Sequence, residues 1–333
     1  MKNDDDAPLP DTPYLLPFQV ELIEKVELAL EEIKASGKSQ GILLLGETGT
    51  GKTTASDEIA RRYPSRIDGV QLVTSVVRIA LSTGADVLGT MKKAMEQLRK
   101  PVTEPRIKIR ELEPQLYKAI RAHMVLIFIL EEFHNILLLG ETRMRGAAGD
   151  FLKNLWNMHP DESSQAWVTH GATEGRYQLL IIVSGTPDLI KVFPPNSELG
   201  SRYGTRVDAP KMRLFPPESL RLFRRIFALH CKRFGIRHLV NVNDSDLVTR
   251  CFLVTDGHLR DLEHLVQRTA SYVRRAGDGA AIFAAFARAA RDVTTKTILG
   301  KNPFDLTPVE LADVVKRIKH GYEINAKGGR SNG

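Results

Sequence analysis

Eight consecutive residues, Gly46-Glu47-Thr48-Gly49-Thr50-Gly51-Lys52-Thr53, follow the spacing G-x-x-x-x-G-K-[ST], a pattern suited to holding phosphate. Glycines at these points let backbone N–H groups converge on phosphate oxygens, and a helix starting near Lys52 adds its positive dipole end. Lys52 is placed to neutralise the outer phosphates. The Thr53 hydroxyl is placed to ligate Mg²⁺, with Thr54 a weaker neighbour. Such a loop needs an acidic site on a nearby strand to hold the metal and orient water. The apolar run Met124 to Leu130 ends at Glu131-Glu132 and supplies one. By position Glu131 is expected at the metal and Glu132 beside the attacking water. Aspartate is the usual residue at the first position, and Mg²⁺ demands tight octahedral geometry at about 2.0–2.1 Å. The extra methylene of Glu131 would disturb that shell. Firm ATP binding with slow hydrolysis is therefore expected.

These residues need a scaffold, and the chain alternates short apolar strands with helices. Ile42 to Leu45 precedes the glycine loop and Lys52 to Tyr63 follows it as a helix. Val70 to Val77 reads as a second strand, Val87 to Leu98 and Leu112 to His123 as helices, and Val125 to Leu130 as the most apolar strand. Phe151 to Met158 reads as a helix, Leu179 to Val183 as a further strand, and Val207 to Leu214 as an edge strand containing Pro210. All-apolar strands alternating with helices predict an α/β fold, a parallel sheet covered on both faces. From Pro216 onward the strand signal vanishes and helical segments follow. The expected divisions are a flexible acidic, proline-rich arm (1–17), an α/β core (18–215), a small helical lid (216–294), and a terminal helix with a disordered tail (295–333).

With 333 residues, 42% hydrophobic and 26% charged, the composition excludes collagen-like, largely disordered and disulfide-scaffold classes. No apolar run approaches the roughly 20 residues of a membrane span, so no membrane partner is expected. The acidic start, Asp4-Asp5-Asp6, is unlike a secretory signal, and Cys231 and Cys251 have no metal-ligand spacing. A cytoplasmic location is expected. The net charge of +7 is unevenly spread. Residues 61–110 hold eleven Lys or Arg against four Asp or Glu, and Lys211 to Arg237 holds eight against Glu218 alone. Basic blocks of this kind attract polyanions.

Beyond the phosphate loop, the chain resembles the AAA+ ATPases, specifically the TnsC/TniB family of transposition regulators, with MuB and IstB as more distant relatives. Glu132-Phe133-His134-Asn135 is similar to the Asp-Glu-x-His-Asn stretch of TniB proteins, and Phe151 to Leu155 to their next helix. The resemblance implies that Thr186 (or Ser184), in Ser184-Gly185-Thr186, senses the terminal phosphate. It implies that Arg202, in Ser201-Arg202-Tyr203, is an arginine finger acting on the adjacent subunit's ATP, with Arg206 as competing candidate. Arg260, in Gly257-His258-Leu259-Arg260, would contact nucleotide from the lid. The stretch 161–177 departs from the family pattern.

The family's DNA-facing segment corresponds to Thr74 to Arg110, which contains no Phe, Tyr or Trp. That absence disfavours a peptide-gripping ATPase. Lys92, Lys93, Arg99, Lys100, Arg106, Lys108 and Arg110 are the phosphate-contact candidates, giving a sequence-tolerant grip on double-stranded DNA. With 39 residues after Thr294 in this sequence, an added winged-helix domain is not expected. What the resemblance implies is a homo-oligomer, a ring or helical filament, assembled with ATP on duplex target DNA. It would recruit a transposase and a target-selection protein, and hydrolysis would disassemble it. The alternatives are a helicase-loader or replication-type ATPase, and a scaffold or signalling NTPase that binds no DNA.

Overall fold

The computed structural model describes residues 14–137, 142–158, 178–194, 196–277, 281–294 and 297–328. The stretch 161–177, most of the N-terminal arm and the last five residues lie outside them. The chain forms two compact units, Leu15–Pro210 and a second running from Lys211 onward, with which Tyr14 groups.

The first unit runs α1 (Pro17–Ser36), β1 (Gln40–Leu45), α2 (Lys52–Arg62), β2 (Arg66–Asp68), β3 (Gln71–Val73), β4 (Val76–Ala80), α3 (Val87–Gln97), α4 (Ile109–Ala122), β5 (Ile127–Glu131), α5 (His134–Leu137), α6 (Thr142–Trp156), β6 (Leu180–Gly185), α7 (Glu198–Arg202) and β7 (Thr205–Asp208). Five strands form one sheet in the order β4-β5-β6-β1-β7, and every pairing in it is parallel. All of β5 and β6 is buried. This explains their unbroken apolar runs, since a parallel sheet is covered on both faces. Val77 and Ile79 of β4, Phe128 and Leu130 of β5, and Ile181 and Val183 of β6 share one core with Met91, Leu116 and Phe151 from the helices. Strand β1 lies inside the sheet, between β6 and the edge strand β7. In open α/β sheets the crevice beyond the strands' carboxyl ends is the usual ligand site.

Two strand expectations are corrected. The run Val70 to Val77 is not one strand. Gly69 (φ +61°) and Val70 make the turn of an antiparallel hairpin, with Arg66 opposite Val73 and Asp68 opposite Gln71. After it, the Thr74 N–H donates to the His123 carbonyl, and the sheet strand β4 starts at Val76. The edge strand is β7, which ends at Asp208, before Pro210 removes a ladder donor.

The second unit comprises α8 (Pro217–Arg233), α9 (Ser245–Thr255), α10 (Leu259–Ala276), α11 (Ile282–Val293) and α12 (Pro308–Gly328). The buried face of α10 is Leu262, Leu265, Val266, Thr269 and Ala270, the spacing of a helix with one apolar stripe. Asp244 caps α9, accepting from the N–H groups of Asp246 and Leu247. Gly257 (φ +74°) starts the turn into α10, and any Cβ there would lie 2.2 Å from the Met212 carbonyl oxygen. Arg250 ties the unit's C-terminal segment down. It is buried, pairs with Asp246 at 2.7 Å, and donates to the carbonyls of Pro303 (2.7 Å) and Leu306 (2.9 Å). Among the described residues no helix is long and apolar enough to cross a membrane.

Candidate nucleotide site

The carboxyl ends of β1, β5 and β6 meet. The Gly46 N–H donates to Gly185 O (3.0 Å) and the Phe133 N–H to Ser184 O (2.9 Å), so three loops share one crevice. In the first loop, a side chain at Gly46 would sit 2.4 Å from the Ala209 carbonyl oxygen. Gly49 (φ +83°) and Gly51 (φ +99°) take the left-handed turns that glycine adopts without strain. Thr50 Oγ1 donates to Glu47 O at 2.9 Å. The loop is also anchored from α1, where buried Gln19 donates through Nε2 to Gly51 O (3.0 Å).

Lys52 opens α2, and its side chain is only 4% exposed. Its ammonium folds back into the loop, donating to Gly46 O (2.7 Å) and Glu47 O (2.9 Å), and faces Glu132 Oε1 at 3.8 Å. Thr53 and Thr54 are exposed on the first turn of α2. A glycine cradle, a helix N-terminus and a buried ammonium aimed into the cradle fit a phosphate chain.

From the second loop comes Glu132, a non-glycine residue at φ +53°, a conformation that concentrates at functional sites. Its Oε2 is 3.6 Å from His134 Nε2, while His134 Nδ1 accepts the Thr186 N–H at 3.4 Å. The glutamate and the third loop are thereby linked through one imidazole. Thr186 is half-buried and precedes a 3₁₀ turn, Pro187–Val192. The Ser184 hydroxyl is buried without a hydrogen-bond partner.

Glu131 has a different setting. It is 5% exposed at the side chain, and Arg78 of β4 approaches it, Nε to Oε1 at 2.8 Å and Nη2 to Oε2 at 3.5 Å. The alignment at Oε1 falls outside hydrogen-bond geometry, leaving the contact an ion pair. The same guanidinium donates through Nη1 to Asp57 of α2. Among the described residues no three His, Cys, Asp or Glu side chains converge as metal ligands. A metal ion held by Thr53 and Glu131 would therefore take its remaining ligands from phosphate oxygens and water, the habit of Mg²⁺.

A Cβ on Gly41, at the amino end of β1, would come within 2.8 Å of Arg202 O. Arg202 is thus one strand length, about 16 Å, from its own phosphate loop. It pairs with Glu198 at 2.5 Å and lies over Trp156. Arg206, on β7, is exposed and pairs with Asp208 at 2.7 Å. Arg260 is exposed on the first turn of α10 in the helical unit. The basic candidates divide between the two ends of α3. Lys93 donates to Ala80 O near the sheet's carboxyl edge, with half-buried Lys92 beside it. Arg99 and Lys100 lie by His123 at the amino edge, where burial first, and then those two charges, push the imidazole pKa down. Arg106, Lys108 and Arg110 are exposed around the start of α4, with Arg110 3.7 Å from Glu111. Arg78, Gln19 and the linking role of His134 are absent from the sequence reading, because each acts through a partner distant in the chain or across a turn.

The parallel sheet and the glycine loop at its carboxyl edge have the architecture of the AAA+ P-loop fold. In three dimensions the chain is similar to the ORC2 protein of Aeropyrum pernix (ADPNP-ADP complexes), at 15% identity and TM-score 0.58, covering 88% of this chain and 71% of that one. It is similarly close to the A. pernix ORC1 protein in complex with DNA, at 16% identity and TM-score 0.58, covering 86% and 68%. The Cdc6p protein of Pyrobaculum aerophilum matches at 15% and 0.55, covering 87% and 71%. At such identities the likeness is one of fold. Among curated proteins none matches in sequence. Residues 18–163 match the family model described as bacterial TniB protein. That match covers 146 of the 333 residues, and it is a likeness to the TniB family over that stretch.

Proposed function

We propose that the chain is an ATP-dependent regulator of DNA transposition. It binds ATP and Mg²⁺ at Gly46 to Thr54, assembles as a homo-oligomer on duplex target DNA, and recruits a transposase together with a target-selection protein. The observation carrying the nucleotide part is the Lys52 ammonium, buried within the glycine loop and 3.8 Å from Glu132. Bound Mg²⁺ would supply charge neutralisation at the outer phosphates, with Thr53 and Glu131 as its protein ligands. Lys52 would release its two carbonyl partners to meet phosphate, while Glu132 orients the attacking water and Thr186 reports on the terminal phosphate.

The distance of Arg202 from its own loop supports a role in a neighbour's site, where such a finger is worth about 10³–10⁵ in rate. For an exposed end, Arg206 is the better placed of the two. Arg260 is a further candidate nucleotide contact, as the family resemblance implies. The fold neighbours include a protein solved with ADPNP and ADP and another solved with DNA, which supports the same two ligands here. The TniB match supports transposition over replication.

The test is binding of the full chain to random-sequence duplex with a non-hydrolysable ATP analogue, across a salt series. Affinity should require the analogue and fall by about 0.9 log units per neutralised phosphate for each log unit of salt. Binding that ignores salt and nucleotide would instead support a scaffold NTPase, and preference for single strands with a replicative helicase would support a loader.

A further inference from the structure

Arg78 has no place in the sequence motifs, yet it lies between Glu131 of the nucleotide site and Asp57 of α2. Its strand, β4, pairs in register with β5 so that Ala80 lies opposite Glu131. Two residues earlier, Arg78 reaches forward to the end of that strand. One face of the guanidinium fork meets Glu131 at 2.8 Å and another donates to Asp57, five residues into the helix that Lys52 opens. Both acidic partners matter. Asp57 is 61% exposed and Glu131 only 5%, so the fork holds one carboxylate in solvent and one in the interior. The Glu131 charge is therefore already compensated. A divalent cation that takes Glu131 as ligand must displace a guanidinium, and it then feels the repulsion of a cation still tethered to α2.

We propose that Arg78 is a positioning residue that competes with Mg²⁺ for Glu131 and so sets how strongly nucleotide binding depends on the metal. This deepens the proposed nucleotide site and rests on that reading. In the absence of metal, Arg78 keeps Glu131 from being a buried, uncompensated charge, the situation most costly to a fold. On loading, the guanidinium retreats toward Asp57, whose exposure leaves it room. The same competition would slow turnover by a route separate from the length of the Glu131 side chain. An arginine suits this place because its planar fork engages two carboxylates at once, which a lysine ammonium does not reproduce.

The experiment titrates Mg²⁺ into the full-length chain with a fluorescent ADP analogue, following analogue affinity in place of turnover. In Arg78→Gln the Mg²⁺ midpoint should fall about tenfold, within the usual range of coupling between sites. In a Glu131→Gln background the same substitution should do nothing, because its effect runs through Glu131. Arg78→Lys keeps the charge but not the fork, so its midpoint should lie between wild type and Arg78→Gln. It carries the test if the glutamine variant does not fold, and a midpoint equal to wild type would then overturn the proposal. An unchanged midpoint in folded Arg78→Gln that still binds the analogue overturns the proposal and leaves the nucleotide site standing. Loss of analogue affinity without Mg²⁺ in Arg78→Gln also overturns it, since Arg78 would then touch nucleotide itself. A wild-type chain that binds no analogue with or without Mg²⁺ overturns the nucleotide reading, and this inference with it.

Discussion

Replacing Lys52 by alanine separates binding from folding. In the absence of ligand, the ammonium makes two charge-assisted hydrogen bonds to the carbonyls of Gly46 and Glu47, each worth about 1.5–3 kcal/mol. Against this stands the cost of burying an ammonium, itself several kcal/mol. These contributions oppose each other, so the unliganded melting point of Lys52→Ala should move little. With nucleotide bound, a lysine charge about 4 Å from a phosphate charge contributes roughly 4 kcal/mol at an effective dielectric of 20, close to a thousandfold in affinity. Saturating ADP at about 100 times its Kd stabilises the wild type by roughly 2.7 kcal/mol, a rise of about 5–11 °C for a unit of this size. At the same ADP concentration the variant should show almost no rise. The assay is a thermal melt of both chains with and without ADP and Mg²⁺. A variant that keeps more than half the wild-type rise would refute the assignment of Lys52 to the phosphates.

Other predictions concern stability and accessibility. Arg250→Met removes a buried donor from half-exposed Asp246 and from two carbonyls of the C-terminal segment; in urea unfolding the helical unit should lose about 1–3 kcal/mol, the cost of buried carbonyls left unpaired, and no measurable loss would contradict the tie. Glu58 is held down to about 2, chiefly by its hydrogen bond to Arg61 and further by Arg62. Because its folded pKa is depressed, its contribution is complete above the ordinary value of 4.5 and disappears as pH falls toward 2. Glu58→Gln should therefore show a shallower decline in melting temperature across that window than wild type, and parallel curves would count against the pair. Cys231 and Cys251 are buried, and burial pushes both thiols up, Cys231 to about 12. Both should resist a thiol reagent in the native chain and react only after denaturant is added.

Much of the site is legible in the sequence because its determinants are local. The glycine loop, the strand before it and Lys52 are contiguous, and Glu131-Glu132 are marked by the apolar run they terminate. The sheet follows from those same runs. What escaped depends on distance. Arg78 reads as one more charge in a basic block, and only the register of β4 on β5 brings it to a glutamate 53 residues away. Gln19 meets the loop across 32 residues. The break inside Val70 to Val77 falls at Thr74-Ser75, residues a strand readily accommodates, and only the pairing of β3 with β2 and of β4 with β5 separates the two strands. The basic candidates formed one block in sequence but occupy both ends of α3, since a helix of 11 residues carries its two ends about 16 Å apart.

Sedimentation velocity of the full chain with a random duplex, in the presence and absence of a non-hydrolysable ATP analogue, tests assembly most directly. A large, fast-sedimenting species containing both protein and DNA should form with the analogue, and disappear when Lys52 is replaced by alanine. A single slow species under every condition, unchanged by nucleotide, duplex or the substitution, would contradict the proposal that ATP joins copies of this chain on DNA.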